Sequence, residues 1–166
     1  MTPPITTLCM MSDKEQRFTN IVHEHRSEIY SVCFMFAKSA EEADDLFQEV
    51  LIRLWQGFDS FEGRSKLSSW VWSVSLNTCI TQDRKRRKHS DIRVDISRDL
   101  YTAPDADSRQ MRMLRERIQA LQPFDRAIVL LWLENMSYDE IAAIVGISVK
   151  SVSVRLYRIK EQLKKM

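Results

Sequence analysis

Turn-forming residues are scarce here: 166 residues include three glycines and four prolines. That leaves little material for tight turns and favours long helices joined by short links. Convincing runs of alternating β-branched residues are missing too, so the expected class is all-α. Cys9, Cys33 and Cys79 are too few and too scattered for a disulfide framework or a CxxC metal site. His23 and His25, two residues apart, fall on different helix faces, which argues against a zinc site shared with Cys33. No metal or other cofactor is therefore expected. No apolar run approaches the ~20 residues that span a membrane. The first residues lack the cationic start and long apolar stretch of a signal peptide, so a cytoplasmic protein without membrane insertion is expected. A P-loop, a catalytic carboxylate pair and metal-ligand spacing are all wanting, which argues against an enzyme.

What is present is charge, unevenly spread. The overall +2 divides into −5 over residues 1–60, +5 over 61–90, −1 over 91–125 and +3 over 126–166. Two basic segments behind an acidic front point to two nucleic-acid contacts and a separate acidic surface for a protein partner.

Residues 61–88 organise the chain. A short loop containing Gly63 leads into a long helical pattern. One apolar stripe holds Leu67, Trp70, Val71, Val74 and Thr78; a second holds Trp72, Leu76, Cys79 and Ile80. Between them Lys66, Ser69, Ser73, Asn77, Arg84 and Arg87 recur at helical period, and residues 84–88 are five consecutive cations. A helix buried on two sides, with one polar line and a basic end, suits a partner with bases and phosphates. A core helix with a solvated basic end fits the same pattern.

Residues 1–11 read as a disordered tail. Ser12 to Glu15, Ser39 to Glu42 and Ser137 to Glu140 each have the S/T-x-x-E form of a capping box and so predict three helix starts. On the second of these helices Leu46, Phe47, Val50, Leu51, Leu54 and Phe58 form the expected inner side. Asp45, Gln48, Glu49, Ile52 and Trp55 form a separate stripe, either a solvated acidic face or a docking stripe with an aromatic anchor. Residues 90–107, with Pro104, read as a flexible linker. Beyond it Met111, Leu114, Ile118 and Leu121 give a short amphipathic helix, and Pro123 suits the first turn of the next. The predicted organisation is thus two small helical domains, over 12–89 and 108–166.

The last segment reads as a helix-turn-helix. Ile141, Ala142 and Val145 turn inward from a short helix, Gly146 permits the bend and Ser148 can cap the second helix. There Val152, Leu156, Ile159 and Leu163 form the buried stripe. Lys150, Ser151, Ser153, Val154, Arg155, Tyr157 and Arg158 are left facing out, as in a helix that enters the major groove. Arg158 can reach a guanine edge and Val154 a thymine methyl. Arg155, Lys160, Lys164 and Lys165 suit phosphates.

Taken together, the chain resembles the extracytoplasmic-function (ECF) group of sigma-70 family RNA polymerase sigma factors. The resemblance spans about residues 14–166. It rests on Asp45-Leu46-Phe47-Gln48-Glu49, on Phe61-x-Gly63-x-Ser65-x4-Trp70-x6-Asn77-x6-Arg84, and on the helix-turn-helix through Arg155-Leu156-x-Arg158. It implies that Asp45, Gln48, Glu49, Ile52 and Trp55 dock on the β′ clamp helices of RNA polymerase core, which also offers its β subunit. It implies that Phe61, Arg64, Ser65, Lys66, Trp72, Ser73, Asn77, Arg84 and Arg87 recognise the −10 element and hold the melted non-template strand. Lys150, Ser151, Ser153, Val154, Arg155, Tyr157 and Arg158 would read the −35 element of promoter DNA. An anti-sigma factor is a further implied partner, and clamping the domains together would hide both the acidic stripe and the recognition helix. Ser73 stands where relatives often carry a larger side chain, and Ser153-Val154 where a cation followed by Ser is common, so the promoter sequence does not follow. A stand-alone helix-turn-helix regulator remains the alternative.

Overall fold

A computed structural model of the chain describes residues 11–61, 63, 65–89 and 109–166. Among these are seven helices and no strand: α1 (Asp13–Phe36), α2 (Ala40–Phe58), α3 (Leu67–His89), α4 (Arg109–Gln119), α5 (Pro123–Leu133), α6 (Tyr138–Val145) and α7 (Val149–Lys165). The all-α expectation is met. The readings of 1–11 as a tail and 90–107 as a linker fall outside the described residues, Met11 apart.

The helix starts follow the local chemistry. At Ser12 and Ser137 the hydroxyl accepts from the N–H three residues on, and the Glu there accepts from the Ser N–H, so both capping boxes are complete. Ser39 is only half of one. Its hydroxyl accepts from Glu42, but the Glu42 carboxylate accepts from Lys38 N–H and pairs with Arg86 instead. One carboxylate oxygen thus goes to a neighbouring backbone N–H and the other to a distant cation. Pro123 opens α5, and Gly146 closes α6 at φ 76°, a left-handed conformation that a side chain would strain.

In the first unit α1, α2 and α3 pack on one another around Ile29, Val32, Phe36, Leu46, Val50, Leu54, Val71 and Leu76. Phe47, expected inside, is half-buried and meets Tyr30 edge-on at 6.1 Å. His25 is buried against Glu28, whereas His23 is exposed, so they do not converge. Cys33 and Cys79 are both buried. A hydrogen bond to Cys33, reinforced by burial, holds the Cys79 thiol well above the usual range, so it stays protonated.

In the second unit α4 packs on α5, and α5, α6 and α7 pack on one another around Ile118, Leu121, Ile128, Leu131, Ile141, Val152, Leu156 and Ile159. One expectation shifts: Val145 is half-buried and Ile144 is buried instead. The cause is that α6 also lies on α3 of the first unit, which covers a face that its own unit leaves open.

The units meet along α1–α4, α3–α5 and α3–α6, and their buried residues form one continuous cluster. Arg126 of α5 is 5% exposed at this junction. Its guanidinium donates to the carbonyls of Gln119 (2.6 Å) and Leu121 (3.0 Å) in its own unit and of Met35 (3.4 Å) across the junction, and lies 4.9 Å from the Phe36 ring centre. Burial lowers its pKa while Asp83 opposes that shift. Its Nε has no partner.

Candidate nucleic-acid interface

On α7 the buried stripe fixes which way the other residues point. Val152, Leu156 and Ile159 face the core, so Lys150, Ser151, Ser153, Val154, Arg155, Tyr157 and Arg158 are all exposed, Tyr157 by 69%. Ser148 accepts from Ser151 N–H at 3.1 Å and sets the helix start. A groove of about 380 Å³ runs along this face, lined by Lys150, Val154, Arg158 and Asp125 among others. Arg155 is not free to swing: Asp125 holds it at 2.9 Å and its guanidinium lies 4.9 Å from the Phe124 ring centre. Lys160 is drawn over Trp132 at 4.3 Å.

The α2 stripe is also open. Asp45 and Gln48 are exposed, Ile52 by 50% and Trp55 by 36%, while Glu49 is half-buried and bonded to Arg53 at 3.0 Å. Trp55 is held rather than loose. Phe18 meets it edge-on at 5.0 Å, and the Lys14 ammonium, paired with Asp59, sits 4.2 Å from its ring centre.

The α3 surface is more entangled. Phe61 lies 5.0 Å from Trp70, ring centre to ring centre, and so pins the start of the loop. A Cβ on Gly57 would stand 3.3 Å from the Trp70 ring, so glycine permits this close packing. Ser65 and Lys66 are exposed, and Arg64 lies outside the described residues. Asn77 is exposed and donates to Ser73 Oγ at 3.4 Å. Ser73, however, is half-buried, and its hydroxyl donates to the Ile144 carbonyl of α6 at 3.5 Å. Lys66 faces Glu140 of α6 at 3.8 Å. Hydrogen bonds from the Ser137 backbone and side chain, with Lys66 nearby, hold the Glu140 carboxyl below its usual range.

Trp72 needs correcting. It is 5% exposed and belongs to the continuous core, so its ring has no free face on which a base could stack. Of its two apolar stripes, α3 buries the one that carries Trp72 more fully, since Leu67, Trp70 and Val74 of the other are half-buried.

The five cations also divide. Arg84, Lys85 and Lys88 are exposed. Arg86 is half-buried between Glu42, Asp83 and the Phe36 carbonyl, and burial lowers its pKa. Arg87 binds Asp83 at 2.9 Å and reaches Gln122 of the second unit at 3.3 Å. Sequence reasoning gave Arg126 no role. Its one signal was a cation leading into the apolar run Ala127 to Leu133.

The structure thus has two open polar faces, one on α2 and one on α7, and a third on α3 that lies partly under α6. The pattern of Sigma-70 region 2 matches residues 21–89, and that of Sigma-70 region 4 matches residues 111–163. The ECF RNA polymerase sigma factor EcfG of Rhodopseudomonas palustris is 30% identical over 128 residues, 75% of this chain and 71% of that one. The chain belongs to the ECF group of sigma-70 family sigma factors.

Similarity extends over most of this sigma factor. The ECF RNA polymerase sigma factor SigW of Bacillus subtilis is 28% identical over 168 residues, 91% of this chain and 89% of that one. Among solved structures, the sigma factor RpoE of Bartonella quintana, crystallised with the anti-sigma factor NepR, shares the fold. The TM-score is 0.74 at 23% identity, over 90% of this sigma factor and 96% of that chain. The region 2 match contains the α2 stripe and all of α3, and the region 4 match contains the outward face of α7.

Proposed function

We propose that this sigma factor works by lending RNA polymerase core two DNA-reading surfaces, with no chemistry of its own, in the cytoplasm. The unit at 12–89 docks on core through Asp45, Gln48, Glu49, Ile52 and Trp55, an exposed aromatic and aliphatic anchor among carboxylates. The loop from Phe61 to Lys66, with Ser73 and Asn77, takes unstacked bases of the −10 element, and Arg84 with Arg87 holds the backbone. Captured bases offset an unstacking cost of a few kcal/mol each, so opening needs no nucleotide hydrolysis. The unit at 108–166 lays α7 in the major groove of the −35 element. There Arg158 and Val154 sit at base edges, and Lys150 and Arg155 sit at phosphates. An anti-sigma partner suits this chain, because the similar RpoE fold binds one.

The observation that carries this reading is the joint match to region 2 and region 4 in a single chain. A stand-alone regulator would use the second unit alone and leave the first match without a purpose. The test is run-off transcription from a broad promoter pool with purified core polymerase, with and without the protein. Initiation that depends on the protein, and is weakened by Asn77→Ala and by Arg158→Ala, is expected. Tight duplex binding by the protein alone, with no initiation anywhere in the pool, would overturn it.

A further inference from the structure

The groove along α7 contains one residue whose charge is wrong for DNA. Its lining includes three cations, Lys150, Arg155 and Arg158, and also the carboxylate of Asp125 from α5. An anion beside a phosphate-binding surface repels the backbone that the cations attract. Asp125 is half-buried there, and its Oδ1 accepts from Arg155 Nη1 at 2.9 Å. Phe124, the residue before it, meets the same guanidinium with its ring centre 4.9 Å away. Among the described residues Lys150 and Arg158 form no such pair, so one cation of the three is singled out.

The fold builds this grip. Pro123 opens α5 and α5 packs on α7, so the first turn of α5 carries Phe124 and Asp125 to Arg155. A negative charge also suits that turn, where backbone N–H groups are unpaired. A carboxylate at one edge and a ring beside it remove much of the rotamer freedom of a long side chain. Only Nη1 is engaged by Asp125. A guanidinium has five N–H donors, so it can hold Asp125 and a phosphate oxygen together. We propose that Asp125 is a positioning residue for −35 recognition: by fixing Arg155 it permits one phosphate contact in one register, which raises the selectivity of α7 while lowering its general affinity for DNA. This rests on the reading of α7 given above and deepens it. A phosphate contact carries no sequence information of its own, but it sets where Arg158 and Val154 fall on the base edges. A loose Arg155 reaches phosphates in several registers and so stabilises wrong sites along with the right one.

The test compares two DNA duplexes. Holoenzyme is assembled from core polymerase and the full chain. Its affinity is measured for a promoter recovered in the run-off assay and for the same DNA with a scrambled −35 element. Asp125→Asn, similar in shape but uncharged, should bind the scrambled duplex about three- to ten-fold more tightly. It should gain little on the intact promoter, so the ratio of the two affinities should fall by a similar factor. Asp125→Glu, which keeps a carboxylate, should retain most of the parent ratio. Arg155→Ala should weaken binding to both duplexes, and adding Asp125→Asn to it should leave the ratio unchanged. A parent-like ratio in Asp125→Asn, as simple repulsion of phosphate would give, overturns the positioning role. So does an equal fall in the ratio when Arg155 is already absent. A parent holoenzyme that binds both duplexes equally would instead overturn the −35 reading of α7.

Discussion

Helices α3 and α7 both carry the polar and basic residues proposed above to meet DNA, yet they expose them by opposite routes. α7 buries one stripe, Val152, Leu156 and Ile159, and keeps the rest of its surface in solvent. α3 buries Val71, Trp72, Leu76, Cys79 and Ile80 around most of its girth, and its remaining polar line lies partly under α6. A helix with one buried side can declare its working face by periodicity alone. A helix buried on several sides cannot, because its working face depends on where the rest of the chain sits.

The comparison can be broken most severely from within the second unit. Leu156→Ala removes a side chain 1% exposed beneath the reading face; a loss of about 2–5 kcal/mol is expected in urea unfolding, with −35 binding lost at temperatures where the α1–α3 unit still melts cooperatively. Next, Arg158→Ala and Asn77→Ala should separate the two surfaces. The first weakens duplex binding by the free protein by about 1–3 kcal/mol. The second leaves duplex binding unchanged and lowers only the yield of open complexes, read by permanganate footprinting. Gly146→Ala is expected to cost about 1–2 kcal/mol in thermal unfolding, because φ 76° strains any L side chain; the space there is open, so no clash adds to it. The smallest effect concerns acid. Folding depresses the Glu140 pKa, so its contribution is present above the unfolded value and is lost as pH falls through the folded one. The stability gap between the parent protein and Glu140→Gln, read in thermal unfolding, should therefore narrow on acidification in that window.

Why some features could be read from sequence and others could not follows from how far apart the partners stand. The capping boxes at Ser12 and Ser137, the Gly146 turn and the α7 stripe are settled within a few residues, and each reads directly. The Ser39 box reads as complete but is half-made, because the Glu42 carboxylate is divided between Lys38 N–H and Arg86, more than forty positions along. Trp72 falls on an apolar stripe that periodicity marks correctly as buried, and that burial removes it from the reading surface. Ile144, Arg126 and the Glu140–Lys66 pair depend on contacts between units, which no local pattern encodes.

On the proposed reading, the outward face of α7 has one more consequence, for how promoter preference changes over time. Ser153 and Val154 are exposed and make no core contact, so drift or a directed library can rewrite them at little cost to folding. The α3 line has no such latitude, since Ser73 also meets α6 and Phe61 also braces Trp70. New −35 sequences should therefore be within reach of single substitutions, while a new −10 sequence would require coordinated changes in both halves of the chain.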